Sequence, residues 1–254
     1  MPLIPKSHPR AKSLFIREKL VTGFDNGLVA KEGLLAHGRG EAFDYLLGEK
    51  TSNTAKLAIK AAAAQILLAN LVVISINGNI AALCPKEIAK LANTSRAKIE
   101  VNLFYVNEKR KQNIIKSLKK NCVKHILGTN PKLSVTLPGL DSARRIVDKN
   151  GIFAADVVIV PLEDGDRTLA LRKAGKIVIA FDLNPLSRTS QTANITIVDN
   201  VTRAIDLLNK ACKKLSKTNQ KILKKIVKDF NNKNNLSNSI IEIRDNLTRR
   251  LSNA

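Results

Sequence analysis

The sequence has few of the residues that stabilise secreted or zinc-bound folds. Among 254 residues it has three cysteines, Cys84, Cys122 and Cys212, and no two of them form a CxxC pair. A disulfide framework and a zinc site are therefore not indicated, and a reducing, cytoplasmic environment is expected. Pro5 and Lys6 occupy a region where a signal peptide needs an apolar core, so no targeting segment is predicted.

Aromatic residues are also scarce, at 4% of the chain, and tryptophan is absent. This scarcity argues against a surface that stacks nucleic-acid bases, so no specific nucleic-acid partner is expected. One long apolar stretch, residues 57–76, could be mistaken for a membrane span. It contains Lys60, Gln65 and Asn70 and becomes β-branched after Asn70, which favours a buried helix leading into a strand over a membrane segment.

Positive charge is abundant, with a formal net charge of +22. Such a charge favours anionic partners, such as phosphates, nucleotides or nucleic acid. Lysine, asparagine and isoleucine are frequent throughout the chain, so a general compositional bias explains much of the charge equally well.

Three apolar runs in the second half of the chain each end directly in a polar cluster. The runs span residues 157–160, 177–181 and 195–198 and alternate with helical stretches, which predicts strands of a buried parallel sheet. Ligands of such sheets bind beyond the carboxyl ends of the strands. The clusters therefore predict a site for a polar, phosphorylated ligand. Their candidate side chains are Glu163, Asp164, Asp166, Asp182, Asn184, Arg188, Thr189, Asp199 and Asn200.

The alternation of strands and helices places the chain in the α/β class, with a mostly parallel sheet of five or six strands flanked by helices. Helices are expected at the N-terminus, one of them capped by Ser13, and Asp141 and Ser142 are expected to cap another that extends through Val147. We assign residues 1–212 to the main domain and residues 213–254 to a basic helical extension, packed on that domain or on a partner subunit.

The segment His37-Gly38-Arg39-Gly40 is expected to form a turn between two short helices, the second opened by Glu41. Two glycines at a helix start let backbone N–H groups approach an anion, and Arg39 adds a bidentate phosphate donor. An ordinary helix–helix turn with an exposed arginine remains the alternative. His37 is a candidate catalytic residue, although a lone histidine beside a turn also fits a structural role.

Two further motifs follow predicted strands. Asn77-Gly78-Asn79 is expected to form either a tight turn with a positive φ at Gly78 or a backbone amide cradle at a helix start. Glu163, Asp164 and Asp166 could hold Mg²⁺, or they could simply cap a helix through Asp166. The sequence leaves both choices open.

Several long segments together resemble the archaeal phosphopantothenate synthetase family, also called 4-phosphopantoate–β-alanine ligases. The similarity covers most of the chain except the tail after about Lys213. The segments are residues 4–10, 17–20, 36–49, 77–79, 98–104, 161–168, 182–189 and 196–204.

The resemblance implies a homodimeric, Rossmann-like enzyme of coenzyme A biosynthesis. Such an enzyme would use ATP to join 4-phosphopantoate to β-alanine, giving 4'-phosphopantothenate, AMP and diphosphate. The ATP contacts implied by the matching segments are Arg17, Arg39, Asp182, Leu183, Asn184, Arg188, Thr189, Asp199 and Asn200.

The substrates indicate further roles. Both ATP and 4-phosphopantoate are polyanions, so Arg39, Arg17 and Mg²⁺ are the expected neutralising charges for the triphosphate. Lys6 and Arg10 are candidates for the 4-phosphate, and Asn77 and Asn79 for other substrate contacts. His37 and Arg39 are the candidate catalytic residues, and His37 is expected to accept the proton that the attacking amine loses.

Two other functions are compatible with the sequence. A basic RNA-binding or scaffold protein would use the lysine-rich tail and would show a steep salt dependence of binding. A nucleotide-dependent kinase or transferase on the same fold would release ADP rather than AMP.

Overall fold

The structure, a computed structural model, describes Pro5 and residues 7–251. Within these residues the chain forms a six-stranded, wholly parallel sheet in the order β3-β2-β1-β6-β7-β8, and a separate antiparallel pair of β4 with β5. The predicted α/β class is confirmed. The strands are β1 (Val72–Ile76), β2 (Lys98–Val101), β3 (Ile126–Leu127), β4 (Ser134–Thr136), β5 (Ile146–Asp148), β6 (Val157–Pro161), β7 (Ile177–Phe181) and β8 (Ile195–Ile197).

The central strands are buried from end to end. All five residues of β1 and all five of β6 are inaccessible, because helices cover both faces of the sheet. From β1 the chain builds outward through β2 to β3, then crosses back to add β6, β7 and β8 on the other side of β1. The strand order therefore reverses between β1 and β6, and a crevice opens there at the carboxyl edge.

Helices flank the sheet and begin at polar caps. Ser52, Asn77, Asn107, Asp164 and Asn200 each accept a backbone N–H of the first helical turn. The helices are α1 (Ala11–Asp25), α2 (Lys31–Leu47), α3 (Asn53–Leu68), α4 (Gly78–Leu83), α5 (Pro85–Ser95), α6 (Glu108–Lys120), α7 (Gly165–Lys173), α8 (Arg188–Thr192), α9 (Val201–Leu215), α10 (Gln220–Asp229) and α11 (Asn232–Leu251).

The predicted turn at His37-Gly38-Arg39-Gly40 is wrong. Helix α2 runs without a break through this segment, so its backbone N–H groups belong to the helix. A glycine inside a helix costs only about 1 kcal/mol relative to alanine. Leu47 is buried on the same helix, and Glu41 and Asp44 pair there with Arg17 and Arg203, so contacts on both sides of the two glycines hold the helix.

Three smaller expectations are also wrong. Helix α1 begins at Ala11, so Ser13 lies inside it and donates its hydroxyl to the Arg10 carbonyl at 3.2 Å. Ser142 precedes a short 3₁₀ turn that leads into strand β5, instead of a helix through Val147. Asp164, and not Asp166, caps α7.

The C-terminal helices pack on the body of the molecule. Helix α10 contacts α3, and α11 contacts α2, α3 and α8. The side chain of Asn232 accepts the Thr196 N–H at 2.8 Å and donates to the Ser190 carbonyl at 3.0 Å. Helix α9 runs through the expected boundary at residues 212 and 213, and the division into two units remains a prediction.

Two hydrophobic cores lie on the two faces of the sheet. The larger one includes Ile74, Ile99 and Leu208, and the other includes Val73, Val158 and Leu171. Within the described chain, no helix combines the length and hydropathy needed to cross a bilayer. The same structure leaves Cys84, Cys122 and Cys212 unpaired.

Candidate active site

A cleft opens at the carboxyl edge of the sheet, where the strand order reverses. Its volume is about 300 Å³, at the lower end of the range for small-molecule sites. The loops after β1, β2, β6, β7 and β8 form its floor, and helix α2 forms one wall. The strand ends singled out by the sequence therefore lie along one edge.

The loop after β7 presents a half-buried carboxylate beside the cleft. Asp182 accepts the Asn184 N–H at 2.9 Å and the hydroxyl of Ser187, so the loop is held by its own polar groups. Burial raises the pKa of Asp182, while these hydrogen bonds and the charge of Arg39 oppose the rise. Leu183, which is 7% exposed, lines the cleft directly.

The loop after β8 contains a closed polar network. Arg203 donates to Asp199 and to Asp44, in both cases at 2.6 Å. Asp199 also accepts the Thr51 hydroxyl at 2.6 Å. Asn200 caps α9 with its oxygen and donates its amide to Asp44 at 2.9 Å, and it lines the cleft. The network fixes the position of this loop relative to helix α2.

Arg39 and His37 reach the cleft from helix α2. Among the described residues, no hydrogen bond or ion pair holds the exposed guanidinium of Arg39, whose charge acts on Asp182. The Nε2 atom of His37 is buried without a hydrogen-bond partner in the same part of the chain. Burial, together with the charge of Arg17, lowers the pKa of His37, although Glu41 and Asp44 oppose this. The imidazole is therefore neutral at pH 7.

Arg10 and Arg17 lie on the far side of helix α2 and do not line the cleft in the described structure. Arg17 donates to Glu41 at 2.9 Å and to the Tyr45 hydroxyl at 3.3 Å. Arg10 donates to the same hydroxyl at 2.7 Å. Burial tends to raise the pKa of Glu41, but hydrogen bonds from Arg17 and Tyr45 outweigh it and lower the pKa. The other predicted phosphate ligand, Lys6, lies outside the described residues.

The segment after β6 divides its acidic residues among three tasks. Glu163 is buried between two arginines, Asp164 caps α7, and Asp166 pairs with Arg188 at 2.5 Å in an exposed position. Thr189 donates to the Glu163 carbonyl at 2.8 Å. The described residues contain no group of three or more acidic, histidine or cysteine side chains arranged to hold a metal ion.

Asn77 joins the two strands at the reversal point. Its amide donates to the carbonyls of Pro161 and Leu162, both at 3.0 Å, and its oxygen caps α4. Leu162 has a φ of 54°, an uncommon conformation for a non-glycine residue, and it lines the cleft. Asn79 donates to the Gly33 carbonyl at 2.8 Å and so ties α4 to α2.

Gly78 does not have the positive φ that a tight turn would require. The reason for a glycine here is space. A Cβ atom at this position would lie 2.2 Å from the carbonyl oxygen of Leu28. The first turn of α4 therefore packs directly against the backbone that precedes α2.

Two buried arginines beside the cleft were missed by the sequence reasoning. Arg144 and Arg167 both pair with Glu163, whose side chain is 2% exposed. Arg167 also donates to the Ser75 hydroxyl at 3.0 Å. Burial lowers the pKa of Arg144 to about 9 and that of Arg167 to about 10. Both guanidinium groups remain charged at neutral pH.

A second missed group follows β2. Leu103, Phe104 and Tyr105 line the cleft together with Arg110 of helix α6. The rings of Phe104 and Tyr105 meet edge to face with their centroids 4.9 Å apart. Exposed aromatic side chains after a predicted strand were a usable signal, because the sequence has few aromatics elsewhere.

The structure thus gathers many, but not all, of the predicted residues. His37, Arg39, Asn77, Asn79, Leu183 and Asn200 line the cleft. Asp182 lies beside Leu183, and Asn184, Arg188, Thr189 and Asp199 hold the surrounding loops. The assignment of these residues to ATP or to the acid substrate remains a prediction.

Comparison with known proteins gives a consistent picture. A family model described as phosphopantothenate/pantothenate synthetase matches residues 54–246. A protein of Thermococcus kodakarensis is 51% identical over 247 residues, which cover 97% of this chain and 94% of its own length. A protein of Methanosarcina mazei is 48% identical over 244 residues, 96% of this chain and 95% of its own. Both relatives are named 4-phosphopantoate–β-alanine ligase.

Proposed function

Because the chain belongs to the phosphopantothenate/pantothenate synthetase family, we propose that it is a 4-phosphopantoate–β-alanine ligase of coenzyme A biosynthesis that uses ATP. The observation that supports this most is the cleft at the strand-order reversal. Arg39, which pairs with no residue in the described part of the chain, lies in this cleft beside the polar ends of β7 and β8. A cation at the carboxyl edge of the sheet can attract and neutralise the negative charge of a bound triphosphate.

The reaction would begin with activation of the acid. A carboxylate oxygen of 4-phosphopantoate attacks the α-phosphorus of ATP, and the bond from that phosphorus to the bridging oxygen breaks. The products are an acyl-adenylate and diphosphate. Arg39 is the candidate to stabilise the negative charge of the transition state, because no described residue pairs with its guanidinium and the positive charge stays available.

The second step would form the amide. The amine of β-alanine attacks the acyl carbon, the bond from that carbon to the AMP oxygen breaks, and the nitrogen loses a proton. His37 is the candidate acceptor of this proton, because its imidazole is neutral at pH 7 and its Nε2 atom has no partner among the described residues.

Magnesium would accompany the nucleotide. A magnesium ion bound to phosphates needs only one or two protein carboxylates. Of the acidic residues after β6, Asp164 fits this role best. It lines the cleft and its carboxylate is 33% exposed, although one oxygen caps α7 and the other lies 3.4 Å from Arg144 Nη1; the carboxylate of Glu163 is enclosed by two arginines. The ion would supply charge neutralisation for the triphosphate.

The assembly and location follow from the same resemblance. We propose a homodimer in the cytoplasm. The three unpaired cysteines agree with a reducing compartment. Light scattering of the purified protein would test this proposal, because a dimer should have twice the mass of the 254-residue chain.

The decisive test is the nucleotide product. Purified protein, incubated with ATP, β-alanine and 4-phosphopantoate, should release AMP and diphosphate, and diphosphate should exchange into ATP only when the acid is present. ADP as the product would favour a kinase-like reaction. Equal AMP formation without the acid would contradict the proposed mechanism.

A further inference from the structure

The end of the cleft near β1 and β2 carries positive charges that are not among the proposed ATP contacts. Two arginines, Arg144 and Arg110, line the cleft there. They come from different parts of the chain, the 3₁₀ turn before β5 and helix α6. Both meet the Phe104–Tyr105 segment that follows β2.

Arg144 is a buried cation with unused donors. Its side chain is 8% exposed, and its Nη1 atom is shared between Glu163 and Asp164. Within residues 7–251, the Nε atom is buried without a hydrogen-bond partner and Nη2 forms no hydrogen bond either. The guanidinium has five N–H groups, so pairing through Nη1 alone leaves the N–H groups of Nη2 as the donors that a ligand in the cleft can use.

Arg110 adds a charge that no carboxylate neutralises in the described chain. Its Nη1 atom donates to the Tyr105 carbonyl at 3.2 Å, and it forms no ion pair among these residues. The nearby carboxylates are already engaged. Glu163 is shared by two arginines, and Asp164 accepts the backbone N–H of Arg167 at 2.8 Å.

The surrounding structure fixes the position of Arg144. Asn102, at the end of β2, donates to the carbonyls of Arg144 and Ile146 at 3.3 and 2.9 Å. The Arg144 guanidinium lies 5.8 Å from the centre of the Phe104 ring. The site therefore has a buried, preorganised cation on one side and a half-buried one, Arg110, on the other.

We propose that Arg144 and Arg110 bind the phosphate monoester of the acid substrate, opposite the nucleotide. This inference rests on the proposed ligase function. The carboxylate of 4-phosphopantoate must reach the α-phosphate of ATP, near Arg39 and the end of β7. Its phosphate lies at the other end of the same molecule, so it points along the cleft toward β1 and β2, where guanidinium groups match its geometry.

The test compares two substrates in two variants. Arg110→Ala and Arg144→Lys should each raise the KM for 4-phosphopantoate about tenfold to a hundredfold, as expected for a lost charge-assisted hydrogen bond. The KM for ATP should stay within about twofold. With pantoate, which lacks the phosphate, both variants should match the parent protein. The chain offers matched controls in the adjacent exposed residues, Lys109→Ala and Arg145→Ala, which should change neither constant.

The other outcomes are equally informative. A rise in the KM for ATP, or an equal loss with pantoate and with 4-phosphopantoate, would overturn the assignment while leaving the ligase function intact. If the Arg144→Lys variant does not fold, Arg110→Ala alone decides. If the parent protein forms no amide at all, the proposed function fails. Calorimetry with 4-phosphopantoate then still tests the phosphate site, through the affinity lost in Arg110→Ala.

Discussion

The two ends of the cleft are built from different chemistry. At β7 and β8 the side chains are short and polar. The loop after β7 holds its own, as Asp182 is held by Ser187 and Asn184, whereas the loop after β8 is held by Asp44 and Thr51. At β1 and β2 the functional side chains are long and cationic, and the buried carboxylate of Glu163 holds Arg144. The first arrangement suits the hydroxyls and base of a nucleotide, and the second suits a phosphate.

The comparison also separates local from long-range construction. The loop after β7 is held by residues that follow its strand directly in the sequence, with Asp182, Asn184 and Ser187 bonded to one another. The β1–β2 end joins residue 110, residue 144 and residue 163, which lie far apart in the chain. The loop after β7 should therefore tolerate single changes better than the β1–β2 end, which depends on the buried charge of Glu163, shared by Arg144 and Arg167.

The largest effect is expected when the shared carboxylate is removed. Glu163→Gln leaves Arg144 and Arg167 buried beside a neutral amide, which should lower the free energy of unfolding by about 3–5 kcal/mol. Chemical denaturation measures this change. Asp166→Asn, three residues away in an exposed pair with Arg188, should cost less than about 1 kcal/mol. Equal effects of the two changes would remove the proposed distinction between the ends.

Loss of Arg39 should mainly affect catalysis. Arg39→Ala removes a cation that no described residue neutralises at the β7–β8 end. The value of kcat/KM for ATP should therefore fall about 10²–10³-fold, as for other lost donors to a developing charge. Stability should not change, since the side chain is exposed. Lys31→Ala, an exposed change on the same helix, serves as the control in steady-state assays. If Arg39→Ala affects only the KM for 4-phosphopantoate, the two ends have been assigned in reverse.

A pH-dependent effect is expected from Glu100, which lies behind the β1–β2 end. Its carboxylate accepts the N–H groups of Asp148 and Ile152 at 3.0 and 2.7 Å. Burial raises the pKa of Glu100 to about 7. The folded protein therefore holds this proton more tightly than the unfolded chain, whose glutamates have a pKa near 4.3. Its contribution to stability is complete below that value and is lost as the pH rises to about 7.

The measurement is the difference between parent and variant across this range. Between pH 4.5 and 7, the parent should lose more stability than Glu100→Gln, by on the order of 3 kcal/mol. The exposed Glu108→Gln change should follow the parent. Parallel stability curves for the parent and Glu100→Gln would show that this carboxylate is ionised in the folded protein throughout.

The smallest effects on stability are expected from changes at two glycines, Gly38 in helix α2 and Gly78 in helix α4. Gly38 lies within α2, and no atom of the described residues lies within 4 Å of the position that a Cβ would occupy. Gly38→Ala should therefore stabilise the protein by about 0.5–1 kcal/mol in thermal unfolding. Gly78→Ala should instead destabilise it by about 1–3 kcal/mol, through the clash with the Leu28 carbonyl. A destabilising Gly38→Ala would favour a turn at this segment over a continuous helix.

The sequence predicted most of the sheet and one end of the cleft. Runs of β-branched residues identify β1, β6, β7 and β8, since their full burial leaves an uninterrupted apolar signal. Asp182 and Asn200 could be placed because each follows such a run. Arg39 was placed at the cleft for a wrong local reason, since it lies in the middle of a helix and not at a turn.

The other end could not be predicted in this way. Arg144 belongs to a segment with no periodic pattern, and its partner Glu163 comes from a different strand end. An arginine in a basic chain of net charge +22 gives no local sign that it will be buried. Ion pairs between residues so far apart in the sequence depend on tertiary structure, and local sequence patterns do not reveal them.

A structure of the protein with a non-hydrolysable ATP analogue and 4-phosphopantoate tests the central claim most directly. The account predicts that the adenosine lies over the ends of β7 and β8, that Arg39 contacts the triphosphate, and that the phosphate of the acid lies between Arg110 and Arg144. A nucleotide bound away from the carboxyl edge of the sheet, or an acid phosphate remote from both arginines, would contradict it.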